Sequence, residues 1–239
     1  MIEIQNLTAP GVTDISLKLR NGKRYALYGD AAGASSLLAA VAGCPAPDVG
    51  CVTVDGYDVA DPKTAIRRRV GYLASDNPLC ADMTVYELLD FAAEIKGLDA
   101  ETARRRIRDL LTRLDIFEAR DRLVSRLPAG DRRLLGVAQA LLASPHTVLL
   151  DRPDEDLSPR QLALLAELVD SLGEGMTVVV SCREPRAWGV FDTVVTMTDG
   201  ALTSVEDVDC QSSVSPESGA ESNNEEKEDE ENGTNDGCL

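Results

Sequence analysis

The chain has 239 residues, a formal net charge of −17 and a pI of about 4.4, with 44% hydrophobic and 27% charged residues. This length and composition suit one large globular domain or two small ones, with enough apolar residues for a true core. The acidic balance disfavours nucleic acid and anionic lipid as ligands, and no apolar run approaches the ~20 residues that span a bilayer, so we expect no nucleic-acid partner and no direct membrane insertion.

The first predicted elements are strands. Alternating apolar residues at 2–4 and 15–19 indicate strands. Asn21-Gly22 then predicts a hairpin whose returning strand covers 24–28. A strand at 51–54 ends in Asp55-Gly56, and Asp199-Gly200 predicts another hairpin between 194–197 and 201–205.

Between these strands the pattern changes to alternating helices and buried strands. Thr84 and Glu87 form a capping-box pattern that starts a helix with Leu88, Leu89 and Phe91 as its apolar side. The other predicted helices are 35–42, 101–114, 131–143 and 161–172, and the other predicted strands are 70–73, 147–150 and 177–180. Continuous apolar strands that alternate with helices predict an α/β fold with a mostly parallel sheet. The nearly all-helical stretch at about 76–130 indicates an insertion.

The C-terminal part is strongly acidic. Residues 204–239 contain 12 acidic residues and one basic residue, a net charge of −11, which leaves −6 for residues 1–203. We therefore expect a folded domain at 1–205 and an acidic disordered tail at 206–239. The tail is either a solvating segment or a docking segment for a basic partner. The arginine runs at 67–69 and 104–106 are either solvated faces or receivers of this tail.

The cysteine pattern bears on compartment and metal binding. Six cysteines are scattered without a C-x-x-C pair, and the chain has one histidine. This scatter is typical of cytosolic thiols and disfavours a disulfide framework or a structural metal site. With no signal-peptide core at the N-terminus, we expect a cytoplasmic protein.

Six short segments, taken in order, resemble the motifs of one family, the nucleotide-binding subunits of ATP-binding-cassette (ABC) transporters. The resemblance covers about 1–205 and rests on a Walker A counterpart at 29–38, a Q-loop at 71–75, a signature segment at 127–131, Walker B at 148–153, a D-loop at 156–159 and an H-loop at 181–183. It implies a P-loop NTPase (RecA-like) fold with an N-terminal antiparallel β portion and an inserted helical subdomain. It also implies ATP and Mg²⁺ as cofactors, and as partners a membrane-spanning transporter subunit and a second ATP-binding subunit.

The Walker A counterpart departs from the family pattern. It is one residue shorter than G-x-x-x-x-G-K-[ST], Ala34 stands at the lysine position, and Asp30 adds a negative charge where polyphosphate would lie. Either this segment is a strand-turn-helix built for close packing, or it retains weak nucleotide binding. The candidate binding residues are Gly29, Asp30, Ala31, Ala32, Gly33, Ala34, Ser35, Ser36 and Asp151.

The catalytic positions that the resemblance implies are also changed. Asp151 matches the Walker B carboxylate, so Ser35 and Asp151 are candidate Mg²⁺ ligands. Arg152 stands at the position of the catalytic glutamate, Arg183 at the H-loop histidine and Ser75 at the Q-loop glutamine, which leaves no catalytic residue intact. The two arginines either clamp a phosphate or pair with nearby acids such as Asp151 or Asp154.

The signature counterpart is altered as well. It consists of Leu127, Pro128, Ala129, Gly130 and Asp131. Pro128 stands where the family has a serine, so the hydroxyl and the N–H of that serine are lost. Asp131 is expected to cap the following helix and complement its dipole. The resemblance implies that each ATP lies between the Walker motifs of one subunit and the signature segment of the other. Both halves of such a shared site are therefore altered in this one chain.

These departures predict a pseudo-ATPase with weak or no ATP hydrolysis. It would act as a non-catalytic or regulatory partner of a membrane transporter, at the inner face of the membrane through that partner, with weak binding of ATP and Mg²⁺. Two alternatives stay open. One is an active transporter ATPase with unconventional catalytic residues, and the other is a soluble scaffold protein without a transporter.

Overall fold

The computed structural model describes residues 1–47, 49–61, 66–172 and 175–208. Strands come first, and helices and strands alternate from the third strand onward. The elements are β1 (Ile2–Ala9), β2 (Val12–Leu19), β3 (Arg24–Gly29), α1 (Ala31–Val41), β4 (Val49–Val54), β5 (Tyr57–Asp58), α2 (Ile66–Arg69), β6 (Val70–Leu73), α3 (Val85–Lys96), α4 (Ala100–Arg113), α5 (Ala129–Leu141), β7 (Thr147–Asp151), α6 (Pro159–Asp170), β8 (Thr177–Ser181), β9 (Thr193–Thr198) and β10 (Ala201–Asp207).

The strands form two sheets. An antiparallel sheet has the order β2-β1-β4-β5, and a six-stranded sheet has the order β10-β9-β3-β8-β7-β6. In the larger sheet every neighbouring pair is parallel except β10 and β9. The predicted α/β class, with a mostly parallel sheet and an antiparallel N-terminal portion, is confirmed.

The larger sheet is buried on both faces. Along β7, Val148 and Leu150 belong to the core beneath the helices α3 to α6, whereas Leu149 belongs to a second core with α1 and the antiparallel sheet. Adjacent side chains of a strand point to opposite faces, so an uninterrupted apolar strand fits this position. The carboxyl ends of β3, β6, β7 and β8 therefore meet at one edge of the sheet.

The hairpin predicted at Asn21-Gly22 is wrong. Gly22 does take a positive φ of 71°, as a turn residue does, but the turn carries the chain from one sheet to the other. β2 pairs with β1, whereas β3 lies parallel to β8 and β9. The physical reason is burial: Tyr25, Ala26 and Leu27 are all buried, which suits a central parallel strand and not a half-exposed hairpin strand.

The capping box of α3 is confirmed, but its predicted apolar side is partly wrong. The Thr84 hydroxyl accepts from the N–H of Glu87, and the Glu87 carboxylate accepts from the N–H of Thr84 at 2.8 Å. Leu88 and Leu89 are buried, whereas Phe91 is 51% exposed. At about 100° per residue, Phe91 lies beside the buried stripe and not within it.

Of the predicted organisation, the helical stretch at 76–130 lies wholly within the described residues, and the C-terminal tail only in part. Residues 76–130 contain α3, α4 and two 3₁₀ turns, Phe117–Ala119 and Val124–Arg126. Strand β10 runs to Asp207, so the first two residues of the expected tail belong to a strand, and the tail from residue 209 lies outside the described residues. No helix in the described part of the chain is long and apolar enough to cross a membrane.

Candidate functional site

The turn between β3 and α1 is built around the Asp30 carboxylate. Asp30 is the N-cap of α1, and its Oδ1 accepts from the N–H groups of Ala32 at 3.1 Å and Gly33 at 3.0 Å. Its Oδ2 accepts from the N–H of Gly200, in the β9–β10 turn, at 2.9 Å. The pKa of Asp30 lies below its ordinary value, chiefly because the Gly33 N–H donates to the charged carboxylate. The donors at the start of α1 are thus used by the chain's own anion.

Two glycines allow this compact turn. Gly29 has a φ of +100°, and a Cβ there would lie 2.3 Å from the carbonyl oxygen of Met197. A Cβ at Gly33 would lie 2.5 Å from Oδ2 of Asp30. Helix α1 begins at Ala31, four residues before the predicted start at Ser35, so residues 31–34 form its first turn. Ala34, at the lysine position, is buried within that turn.

Ser35 and Asp151 come together although 116 residues separate them. The Ser35 hydroxyl donates to Oδ1 of Asp151 at 2.9 Å, and the Ser181 hydroxyl donates to the same oxygen at 2.7 Å. Asp151 is 1% exposed, and its Oδ2 has no hydrogen-bond partner among the described residues. A hydroxyl and a carboxylate are oxygen ligands of the kind that Mg²⁺ takes. The sequence prediction included Ser35 and Asp151 but missed Ser181.

Arg152 and Arg183 both reach one acid, Glu155. Nη1 of Arg152 lies 3.6 Å from Oε1 of Glu155, and Nη2 of Arg183 lies 3.7 Å from the same oxygen. Among the described residues, the partners named from the sequence, Asp151 and Asp154, form no ion pair with these guanidinium groups; Asp154 instead accepts from the backbone N–H of Arg183 at 3.3 Å. The predicted pairing with a nearby acid holds, but the acid is Glu155.

A third arginine, Arg133 of α5, was not singled out from the sequence. Its Nη2 lies 3.0 Å from Oε2 of Glu155, and its guanidinium also donates to the carbonyl oxygen of Ser75 at 3.0 Å. Its spacing from Gly130 and Val137 on the buried side of α5 is the one signal that indicates an inward-facing side chain. Ser75, at the Q-loop position, thus contacts Arg133 through its backbone carbonyl oxygen.

The signature counterpart is engaged within its own chain. Helix α5 begins at Ala129 after Pro128, which makes no side-chain cap. Asp131 lies in the first turn, where a negative charge suits the helix dipole, but it does not cap the helix: its Oδ1 accepts from Nε2 of Gln161 at 2.9 Å. A Cβ at Gly130 would lie 2.8 Å from the carbonyl oxygen of Asp156. The capping role predicted for Asp131 is therefore wrong.

A cleft of about 790 Å³ lies next to these groups. Its walls come from α1 beyond its first turn, strand β6, the loop 74–79, α5 and the end of β7. Its lining includes Ser35, Ser36, Tyr72, Asn77, Gln139 and Asp151. Burial, reinforced by the negative charge of Asp151, raises the pKa of Tyr72 to about 12, so this hydroxyl stays protonated at neutral pH.

Comparison with known proteins tests the resemblance carried by the six motif-like segments. The model of the ABC transporter family matches residues 12–155. The chain belongs to the ABC transporter family. It is 32% identical over 202 residues to the lipoprotein-releasing system ATP-binding protein LolD of Maricaulis maris, covering 81% of this chain and 88% of LolD. It is 30% identical over 220 residues to the methionine import ATP-binding protein MetN of Carboxydothermus hydrogenoformans, covering 84% of this chain and 65% of MetN.

Solved ABC cassettes share the fold. The dimeric cassette MJ0796, in a post-hydrolysis state bound to ADP and Pi, has a TM-score of 0.76 at 20% identity, covering 87% of this chain and 98% of that one. CbiO1 from Clostridium perfringens, described as part of the ABC transporter complex cbiONQ, has a TM-score of 0.71 at 22% identity, covering 86% of this chain and 88% of that one. At this identity the likeness concerns the fold. It supports the P-loop architecture predicted from the motif order.

Within this ABC cassette, the geometry sorts the predicted residues into two groups. The Walker A and Walker B counterparts meet through Ser35 and Asp151. Of the positions that would contact phosphate or water, Asp30 is hydrogen-bonded to backbone N–H groups, and Arg152 and Arg183 lie within ion-pair distance of Glu155. The cassette therefore keeps its Mg²⁺-type oxygen pair, while Asp30 occupies the N–H donors of Ala32 and Gly33 at the start of α1.

Proposed function

We propose that this chain is a non-catalytic ABC cassette that binds a membrane transporter component and hydrolyses little or no ATP. The observation that carries this proposal is the Asp30 carboxylate at the start of α1. A phosphate bound there would use the backbone N–H groups at the helix N-terminus. Asp30 already accepts from two such groups, Ala32 and Gly33, and from the N–H of Gly200 in the β9–β10 turn, and its negative charge repels a second anion.

The remaining residues fit ATP poorly and Mg²⁺ in part. Ser35 and Asp151 would hold Mg²⁺, which would supply charge compensation for phosphate oxygens. Mg²⁺ usually takes one or two protein carboxylates together with substrate phosphates, and here the phosphate side is occupied by Asp30. Ala34 brings no charge, and Arg152 cannot accept a proton from water at neutral pH. No hydrolytic step follows from these residues, and we expect weak binding of ATP and Mg²⁺.

The partner is inferred from the exposed side of α3, the helix whose last residue, Lys96, lines the cleft. Phe91 and Ile95 lie one turn apart on α3 and are 51% and 61% exposed. Exposed apolar groups that lie together favour contact with another protein. Because MetN and LolD are ATP-binding proteins of an import and a releasing system, we propose a membrane-spanning transporter subunit as the partner, joined in the assembly by a second ATP-binding subunit. The chain would then lie at the inner face of the membrane through this partner.

An active ATPase with unconventional residues would need free guanidinium groups on Arg152 and Arg183. Both lie within ion-pair distance of Glu155, and the backbone N–H of Arg152 is also engaged, with the Ser181 hydroxyl at 2.8 Å. These contacts favour the pairing role over a phosphate clamp, although Nε of Arg152 has no hydrogen-bond partner among the described residues and the Arg183 side chain is 76% exposed. The scaffold alternative, a protein that works without a transporter, differs only in its partner.

Two measurements on the full-length chain test the proposal. ATP turnover by the purified protein is expected to equal that of Asp151→Asn, which serves as the matched blank. Turnover above this blank would refute the non-catalytic assignment, and its loss in Arg152→Gln or Arg183→Gln would support the unconventional ATPase. Capture from native membranes, with mass spectrometry of the bound proteins, is expected to recover a membrane-spanning protein. Recovery of water-soluble proteins alone would favour the scaffold.

A further inference from the structure

Glu155 joins three separate elements through one carboxylate. It lies in the segment after β7 and faces Arg133 of α5, Arg152 after β7 and Arg183 after β8. The shortest contact, 3.0 Å between Nη2 of Arg133 and Oε2 of Glu155, is also the most buried, with the Arg133 side chain 8% exposed. Removing one partner of a buried ion pair strongly destabilises the folded protein, since the other charge is left uncompensated.

Arg133 extends this network to a fourth element. Its two terminal nitrogens donate to the carbonyl oxygen of Ser75 at 3.0 Å, and Nη1 also reaches the carbonyl oxygen of Ala74 at 3.4 Å. The planar guanidinium can hold several acceptors at fixed angles. One continuous network therefore runs from the segment after β6, through α5, to the segments after β7 and β8.

The loop held by Arg133 forms one wall of the cleft. Residues 74–79 line it. Asn77, at a φ of +43°, donates from Nδ2 to the carbonyl oxygen of Arg132 at 2.9 Å. A Cβ at Gly136 would lie 2.2 Å from Oδ1 of Asn77, so the loop lies directly on α5. Two neighbouring residues of α5, Arg132 and Arg133, thus attach both parts of this loop.

We propose that Arg133 and Glu155 are positioning residues that hold the loop 74–79, and with it the shape of the cleft, without a bound nucleotide. The negative charge that gathers the three arginines comes from the chain itself, so no ligand anion is needed at this junction. The two residues act through the loop and touch no reacting group. That the cleft is independent of nucleotide rests on the proposed function, whereas the connection between loop and network stands on the contacts alone.

Hydrogen exchange of the full-length chain tests this connection. The variants are Glu155→Gln, Arg133→Lys and the double variant. The exposed pair of Arg160 and Asp115, 2.6 Å apart, supplies matched controls as Arg160→Lys and Asp115→Asn. Within residues 75–79, the amide of Asn77, which donates to the carbonyl oxygen of Ala74 at 3.1 Å, is expected to exchange about tenfold faster in each test variant. The amides of β1 are expected to keep their rate, because loss of the network opens the loop locally. The controls are expected to leave both regions unchanged.

The double variant separates a specific connection between the loop and the Arg133–Glu155 network, which we call the brace, from general stabilisation of the fold. Partners in one network are not additive, so the double variant is expected to exchange no more than about twofold faster than either single variant. An unchanged loop in Glu155→Gln, a parallel rise in β1, or full additivity would overturn the brace. If Glu155→Gln does not fold, Glu155→Asp, which keeps the charge but shortens the reach, takes its place.

MgATP is added to the wild-type protein in the same experiment. Unchanged exchange in 75–79 is expected, and protection of this loop by MgATP would overturn its independence of nucleotide. ATP turnover is measured on the same samples. If the protein turns over ATP and Glu155→Gln still speeds exchange in the loop, the proposed function is refuted and the brace stands. If there is no turnover and Glu155→Gln leaves exchange unchanged, the brace is refuted and the proposed function stands.

Discussion

Two regions of the molecule differ in how far the chain covers its own groups. They are the sheet edge at the ends of β3, β7 and β8, and the exposed side of α3. At the edge, the carboxylates of Asp30 and Glu155 are surrounded by N–H and guanidinium donors from the same chain. On α3, Phe91 and Ile95 stay in solvent, although burying such a side chain gains about 1.5–3 kcal/mol. A helix start whose N–H donors are occupied by the chain's own carboxylate offers little to a small anion, whereas uncovered apolar groups favour a protein partner.

The largest effect is expected at Asp30. Asp30→Ala removes the N-cap of α1 and leaves the buried N–H of Gly200 without its acceptor, so the free energy of unfolding should fall by about 2–3 kcal/mol. Urea denaturation followed by circular dichroism measures this change. Asp99, which caps α4 through a single N–H, provides the control: Asp99→Ala should cost less. Equal losses would mean that the Gly200 bond adds nothing.

The exposed side of α3 should behave in the opposite manner. Phe91→Ser and Ile95→Ser are expected to change the free energy of unfolding by less than about 0.5 kcal/mol, since both side chains are largely in solvent. Each should weaken binding of the membrane partner by about tenfold, or about 1.4 kcal/mol. Titration of captured partner measures the affinity. Asp90→Ser, an exposed polar position of the same helix, is the control. Unchanged affinity in both apolar variants would move the partner surface elsewhere.

A smaller effect is expected where the two Walker counterparts meet. Ser35→Ala removes the hydrogen bond to Asp151 and should lower the free energy of unfolding by about 1 kcal/mol. The thermal midpoints of the wild type and Ser35→Ala should be equally unaffected by MgATP, because Asp30 already occupies the N–H donors at the start of α1. Scanning calorimetry with and without MgATP tests this pair of expectations. A midpoint that rises with MgATP in the wild type alone would show a working site.

The smallest effect concerns pH. Because the pKa of Asp30 is lowered in the folded state, its charged form adds stability above the unfolded pKa of about 3.9, and this contribution is lost as the pH falls through the lower folded value. The wild type should therefore exceed Asp30→Asn in stability at pH 7, with the difference shrinking below about pH 4. Urea midpoints between pH 3 and pH 7 measure it. A difference independent of pH would assign the role of Asp30 to shape alone.

Much of the fold follows from local patterns in the sequence. The buried strands β7 and β8 are uninterrupted apolar runs, and the capping box at Thr84 needs only four consecutive residues. The errors arise where the same local signal serves two arrangements. Asn21-Gly22 makes a turn in either case, and only the burial of β3 on both faces sends that strand into the other sheet.

The candidate site was less accessible to sequence reasoning. The motif order identified Ser35, Asp151, Arg152 and Arg183, but it could not tell which acid the arginines meet. Glu155 stands one residue beyond Asp154, and a difference of a few ångströms between side chains decides the pairing. Arg133 stands among other charged residues of α5, where only its angular position on the helix separates it from Arg132.

The sequence by itself determined the order of strands and helices, the resemblance to ABC cassettes, and the absence of the lysine and glutamate at positions 34 and 152. These are properties of residue type, spacing and periodicity. The tertiary structure alone decided that the Asp30 carboxylate turns back onto α1 and also reaches Gly200, 170 residues away. It alone decided that Glu155 gathers three arginines, because contacts between distant segments depend on how the sheet edge brings them together.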